Sequence, residues 1–312
     1  MTELPLPPTP GLIARLIDSD IFYSFRRSKL TVVAAGIALV LMLAAIFAPL
    51  LAVQNPFDPA QLDLLNSRIS PLWTAEGQTP FLLGTDEQGR DVFSAILYGM
   101  RISLIVGLLG VGLAAVLGIG LGLIAGYVGG AVDSLIMRVA DVQLTFPAIL
   151  IALLIDGIAK SVFSNRLDAM GTLAVLVVAI GLSFWVQYAR TVRGSVMVEK
   201  NRDYVAAAQL IGLPGRVIML RHVLPNTMGP ILVIATINLA LAIITEATLS
   251  FLGSGMPDTM PSLGTLIRIG NNYLFSGEWW VIAFPGLALA SLILSINLLG
   301  DWLRDALNPK LR

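Results

Sequence analysis

The uncharged apolar runs of this 312-residue chain constrain its fold more than any other feature. An α-helix rises about 1.5 Å per residue, so about 20 apolar residues cross the roughly 30 Å hydrocarbon layer of a bilayer. Residues 31–55 and 102–132 contain no Asp, Glu, Lys or Arg, and each is long enough to span. The spacing predicts six spans: near 30–53, 102–128, 143–159, 169–189, 228–252 and 279–300. The third carries Pro147 near its start and Asp156 near its far end, and the fifth contains Glu246. The first follows Arg26, Arg27 and Lys29. A cleaved leader has that polarity but an apolar core of only about 7–15 residues, so this run reads as a retained span.

Composition agrees. Hydrophobic residues make up 56% of the chain and charged residues 13%, against roughly a quarter charged in soluble domains. The formal net charge is zero, which gives no basis for a nucleic-acid partner. With no Cys there is no disulfide, thiolate metal site or Cys nucleophile, and with His222 alone there is no multi-histidine site.

Orientation follows the distribution of Lys and Arg. With the N-terminus inside, fourteen lie in inner segments and six in outer ones, which expects both termini cytoplasmic and an even number of spans. Carboxylates divide almost evenly, nine in inner segments, ten in outer ones and Glu246 within a span, so the neutral total separates into a basic inner side and an acidic outer side. Three parts result: a tail over 1–29 with Pro5, Pro7, Pro8 and Pro10; a first span plus outer segment over 30–101; and a transmembrane domain over 102–312 containing an inner loop at 190–227.

Within the spans, Gly118, Gly122 and Gly126 share one helix face at four-residue spacing, which lets two backbones approach closely. The partner is either another helix of this chain or another subunit. Ionisable groups at membrane depth are costly and face the bundle interior or a water-filled cavity. Glu246 is therefore either a pathway or gate group, or a structural carboxylate bonded to a neighbouring helix. Asp156 reads as interfacial.

The inner loop carries the most pattern. Asp203 can cap a short helix through Tyr204, Ala206, Ala207, Ala208 and Leu210, which Gly212 and Pro214 stop. A second helical stretch over 216–223 ends at Pro225. The pair forms a helix–bend–helix knuckle with Ala side chains exposed. It offers docking rather than chemistry, although an Ala-rich surface filler has the same pattern.

These residues carry a resemblance. Tyr204-Val205-Ala206-Ala207-Ala208, then Gly212, then Leu224-Pro225-Asn226 resemble the EAA loop of the permease subunits of bacterial ABC importers. That pattern runs E-A-A, three residues, G, nine residues, I-x-L-P. Ala206 replaces its acidic residue and His222 its aliphatic one. Residues 83–92 (LGTDEQGRDV) and 98–104 (YGMRISL) look like the signature of the C-type permeases of dipeptide and oligopeptide importers. EATLSFLG at 246–253, and WW, FPG, NLLGD and LRDALNP between 279 and 309, resemble later parts of that family. Thr85 and Gln88 have capping-box spacing, and Phe93, Ile96, Leu97 and Met100 form a stripe for a helix lying on the outer membrane face.

The resemblance implies an all-α integral membrane protein with the type I ABC importer permease fold in the bacterial inner membrane. Its coupling residues would be Tyr204, Ala206, Ala207, Ala208, Gly212, Leu224 and Pro225. It would form half of a transmembrane pathway for peptides, a homologous second permease forming the other half. Two ATP-binding subunits would dock on the inner loops, and a periplasmic solute-binding protein would deliver the solute. Relatives also move nickel chelates and glutathione-like peptides. No cofactor is expected on this chain, ATP and Mg being held by the partners. Independently of family, none of Lys29, Lys160, Lys200 and Lys310 follows Gly, so there is no Walker A loop. Two rival classes are an ion-coupled carrier titrating Glu246 and Asp156, which should show an inverted repeat, and an intramembrane hydrolase, for which His222 lies on the cytoplasmic side.

Overall fold

The computed structural model describes residues 20–163 and 167–307. The Pro-rich tail start and the Asn308-Pro309 end of the last motif lie outside the described residues. Among the described residues, all regular elements are helical, and the one β feature is an isolated bridge between Thr85 and Asp91.

A short basic helix, α1 (Asp20–Arg27), precedes α2 (Lys29–Ile46), which Ser28 caps by accepting from the Thr31 N–H. After the outer segment come α3 (Val92–Val128), α4 (Gly130–Leu144), α5 (Ala148–Phe163) and α6 (Ala169–Glu199). Two short inner elements follow, then α8 (Met228–Phe251), α9 (Leu263–Tyr273) and α10 (Trp280–Ala306); the label α7 belongs to Asp203–Leu210 in the inner loop. Among the described residues, α2, α3, α6, α8 and α10 are long and apolar enough to cross a membrane, and the α4–α5 pair, bent by 92°, can supply a sixth span.

The third expected span is corrected in shape. Gln143 belongs to the last turn of α4, and the chain turns before Pro147, whose ring disfavours helix at the preceding residue and which donates no N–H. Other boundaries move outward. α3 begins ten residues before the apolar run, so Ile96, Leu97 and Met100 belong to a 37-residue continuous helix, not to a separate surface helix. They are buried, and Ile96 and Met100 share a cluster with Leu263, Leu266 and Trp280. At about 55 Å, α3 is far longer than the hydrocarbon layer. α6 likewise runs ten residues past Ala189 to Glu199.

α3 and α6 form the central pair, and the glycine ladder explains how. A Cβ on Gly118 would lie 2.3 Å from the Trp185 carbonyl oxygen, one on Gly122 2.5 Å from that of Ala189, and one on Gly126 2.8 Å from the Val196 Cβ. The ladder is therefore an internal packing face against α6. At the periphery α2 turns Ala34, Ala38 and Ala45 inward and leaves Val33, Val40 and Ile46 outward, as a lipid-facing helix requires.

Polar segments gather at the two ends. One holds α1, α4, the inner loop and the end of α10; there Phe25 meets Trp302 edge-on at 5.2 Å. The other holds residues 52–91 and 252–279.

Candidate functional site: the inner knuckle and its supports

The knuckle starts where α6 ends. Lys200 turns back so that its Nζ donates to the Gly126 carbonyl at 2.8 Å, satisfying an end carbonyl of α3 and joining the two central helices. α7 (Asp203–Leu210) follows, with Arg202 at the N-cap position and no side-chain cap. Asp203 is thus the first helical residue rather than the cap, where its charge still favours the positive helix end. The Tyr204 hydroxyl donates to Glu199 Oε2 at 2.7 Å, fastening α7 to α6. Burial together with this bond raises the Tyr204 pKa.

α7 is two-faced. Val205 and Ala208 are buried in one cluster with Val196, Ile218 and Val223. Ala206, Ala207 and Leu210 point away into the open, and Ile211 continues that face. The expectation that all the alanines are exposed is corrected at Ala208, which sits three residues from Val205 on the inward side. The helix expected from sequence includes Leu210 without placing it on the open face, and omits Ile211; Leu210 (90% exposed) and Ile211 (78%) are two large aliphatic residues immediately before a helix-ending glycine, which is a readable signal. The helix ends in a Schellman arrangement: Leu213 N–H donates to Ala208 O at 3.1 Å, and Gly212 N–H to Gln209 O at 2.9 Å. Gly212 has φ +82°, which only glycine adopts readily.

Beyond Pro214 the chain forms one rod over 215–226: a helical turn (Gly215–Val217), a π-turn (Ile218–Val223) and a last turn (Leu224–Asn226). Pro225 does not end the helix as expected. The widened π register precedes it, and the Asn226 side chain donates to the His222 carbonyl at 2.7 Å. The knuckle is braced from beside: Arg193 of α6 grips Asp133 of α4 through two bonds of 2.5 and 2.6 Å, and Arg190 pairs with Asp141. Arg193 holds the Asp133 carboxyl below its ordinary range.

Glu246 lies elsewhere, eighteen residues along α8 from its start, or about 27 Å from the knuckle. It is fully buried, accepting from Ser103 Oγ of α3 at 2.8 Å and from Ser250 Oγ at 2.7 Å. Those hydroxyls accept in turn from the N–H groups of Leu263 (3.3 Å) and Met256 (3.2 Å). The carboxyl thus ties α3, α8 and the loop leading into α9 together. Asp156, read as interfacial, is buried in α5, with Lys160 Nζ 2.8 Å away.

The outer LGTDEQGRD segment is a compact hydrogen-bonded turn rather than a helix start. Thr85 Oγ1 donates to Asn66 O and accepts from the Ile69 N–H, and Asp91 caps α3 by accepting from the Ser94 N–H. Arg90, 1% exposed, bonds Asp86 at 2.6 Å and the Asp258 carbonyl at 2.9 Å, locking residues 52–91 to the other outer loop. No capping box forms because Asp86 instead accepts from the backbone N–H groups of Gln88 and Arg90.

Residues 118–312 match the family described as "Binding-protein-dependent transport system inner membrane component". Residues 19–71 match "N-terminal TM domain of oligopeptide transport permease C". The chain is 36% identical over 293 residues to a dipeptide transport system permease protein of Haemophilus influenzae, covering 94% of this chain and 95% of that one. It is 38% identical over 303 residues to a di/tripeptide transport system permease protein of Pseudomonas aeruginosa (97% and 95%). It is 39% identical over 308 residues to a dipeptide transport system permease protein of Escherichia coli (99% and 96%). Among solved structures, a chain of the inward-facing MetNI methionine ABC transporter superposes with a TM-score of 0.54 at 17% identity, covering 69% of this chain and 96% of that one, so the fold is that of a type I ABC importer permease. The chain therefore belongs to the family of binding-protein-dependent transport system inner membrane components, multi-pass proteins of the inner membrane.

Proposed function

We propose that this chain is the permease subunit of an ATP-driven importer of short peptides. It forms half of the transmembrane pathway, with a homologous permease forming the other half. Two ATP-binding subunits hold ATP and Mg and dock on the knuckle, and a periplasmic solute-binding protein delivers the peptide. Both termini are cytoplasmic in this reading. Residues 1–29 form the inner tail, 30–101 the first helix and outer segment, and 102–312 the transmembrane domain with its coupling loop at 190–227. The names of the relatives support the peptide substrate.

One observation carries the coupling role. The knuckle presents Ala206, Ala207, Leu210 and Ile211 outward while its other face is packed and bonded to the ends of α3 and α6. A surface filler needs no such anchoring; a lever does. Exposed aliphatic groups on a rigid tip suit a hydrophobic cleft in a partner, with small Ala side chains permitting close approach. Force on the tip passes into α6 on one side and, through the 215–226 rod, into α8 on the other. Tilting these helices as rigid bodies exchanges inward-open and outward-open states. Because Ala206 stands where relatives of the resemblance carry an acid, docking here relies on shape and apolar contact. Glu246, whose bonds stay within the chain, acts as an anchor of the outer loop rather than as a titrating pathway group.

The test uses the intact complex reconstituted with its partners. Gly212→Pro forces φ near −65° where +82° is needed, and Ala207→Arg puts a charge on the tip. Each should leave membrane insertion intact and lower ATP-coupled uptake by about tenfold or more. Normal binding-protein-stimulated ATP hydrolysis and uptake in both variants would show that the knuckle is not the lever.

A further inference from the structure

Tyr188 of α6 and Asn238 of α8 are both 0% exposed, and neither has a role in the mechanism above. Neither the Tyr188 hydroxyl nor either polar atom of the Asn238 amide closes a hydrogen bond with a protein group. The Asn238 amide nevertheless lies near enough to act on the Tyr188 hydroxyl, across the contact between α6 and α8. Burying such groups unpaired in a bilayer is costly, so each is the other's natural partner. Their height is matched. Tyr188 lies eleven residues before the end of α6 and Asn238 ten after the start of α8, about 15–17 Å from the knuckle on either arm. The tyrosine backbone is also fixed, because Gly118 packs directly on its Cβ, so the hydroxyl follows α6 rather than moving independently.

We propose that Tyr188 and Asn238 are a positioning pair whose hydrogen bond closes in one transport state and opens in the other, so that it sets the balance between them. The two helices that bear it are the ones joined by the knuckle. Their relative slide is the motion the lever produces, and a hydrogen bond weakens steeply with distance and angle, so the pair registers that slide. The inference rests on the importer reading for its two states.

A double-mutant cycle on the complete complex in lipid nanodiscs tests it, with Tyr188→Phe, Asn238→Leu and the double variant. Tyr188→Phe removes only the hydroxyl and preserves the fit on Gly118. ATP hydrolysis is read without and with solute-loaded binding protein, and thermal melting is read in the nucleotide-free and vanadate-trapped complexes. Each single variant should change the ratio of stimulated to basal rate by about three- to tenfold in the same direction, as expected for an interhelical hydrogen bond in a membrane. The double variant should change it no further, and the coupling seen in melting should differ between the trapped and free complexes. A merely structural pair would shift melting equally in both states and leave the ratio untouched. That result, or single effects that multiply in the double variant, overturns the proposal. Normal stimulation with a flat cycle sinks this pair alone; a chain that retains no ATPase partner sinks it together with the importer reading.

Discussion

Adding one methyl group at Gly122 gives a sharp test of how the two central helices meet. A Cβ there would lie 2.5 Å from the Ala189 carbonyl oxygen, 2.9 Å from the Val192 Cβ and 3.0 Å from the Ala189 Cα. Ordinary contact needs about 3.4 Å, so α3 and α6 must part by roughly 0.9 Å at the tightest point, and overpacking of that kind costs about 1–3 kcal/mol. Ala is intrinsically better than Gly in a helix by about 1 kcal/mol, which offsets part of the loss. The offset cancels against Gly120→Ala on the same helix, where the added methyl meets nothing within 4 Å. The 122 variant should therefore be less stable than the 120 variant by about 1–3 kcal/mol. Reversible unfolding of the purified chain in mixed micelles, followed by far-UV circular dichroism, reads the difference. Equal stability of the two variants would mean that the ladder does not touch α6, and the central helix pair would have to be redrawn.

Three further outcomes follow from the same packing. Glu246→Ala strands the hydroxyls of Ser103 and Ser250 and leaves a cavity, which should cost about 3–5 kcal/mol, whereas Glu246→Gln keeps an acceptor and should cost less than half of that. Melting of the two variants compares them, and equal losses would argue against the hydrogen-bonded anchor. Arg90→Lys can reach Asp86 or the Asp258 carbonyl but not both, so limited proteolysis should cut residues 52–91 faster in that variant while the knuckle stays protected; an unchanged digestion pattern would count against the clasp. Arg193 depresses the Asp133 pKa, so the contribution of that pair is fully present above the unfolded carboxylate value of about 3.9 and is lost as pH falls through the lower folded value. The protection of α4 amides against hydrogen exchange, taken relative to the intrinsic rate at each pH, should therefore fall below about pH 4 in the wild type and be lower already at pH 7 in Asp133→Asn, and a wild-type protection profile flat to pH 3 would contradict the pairing.

The spans were legible because lipid leaves a chain few options: every backbone polar group must bond internally, so an uncharged apolar run of sufficient length is a helix. What composition could not show was where each helix stops. Arg101 ends an apolar run but is exposed, and α3 passes through it without a break; Arg190 and Arg193 do the same for α6, finding carboxylates on α4. Charge marks the edge of the membrane, not the edge of the helix. Pro147 stood out near the start of the third expected span, but the break there and its 92° bend, which depends on what α4 and α5 pack against, were not read from it. The ladder at Gly118, Gly122 and Gly126 revealed a close-contact face without naming its partner, since spacing fixes a face and only tertiary packing fills it.

The knuckle shows the same division. Gly212 and Pro214 announced its bend, and the structure puts the glycine at positive φ with a full Schellman bonding pattern. The inward turn of Ala208 and the prominence of Leu210 and Ile211 depend on which side of α7 meets Val196 and Ile218. Local sequence cannot supply that neighbour. Nor could the capping-box spacing at Thr85 and Gln88 compete with Arg90, whose ion pair with Asp86 and distant bond to the Asp258 carbonyl hold the segment in a compact turn. Glu246 was read as either gate or anchor, and its two serine donors come from residues 143 positions apart and one turn away, a combination visible only in the fold.

The most direct test of the central claim is uptake of a radiolabelled dipeptide into proteoliposomes holding the complete complex, with ATP enclosed on the ATPase side and solute-binding protein on the other. Accumulation that requires ATP and the binding protein, persists when a protonophore collapses the proton gradient, and is lost with Ala207→Arg is the expected result. Accumulation that proceeds without ATP and disappears with the proton gradient would contradict an ATP-driven permease worked through its inner knuckle.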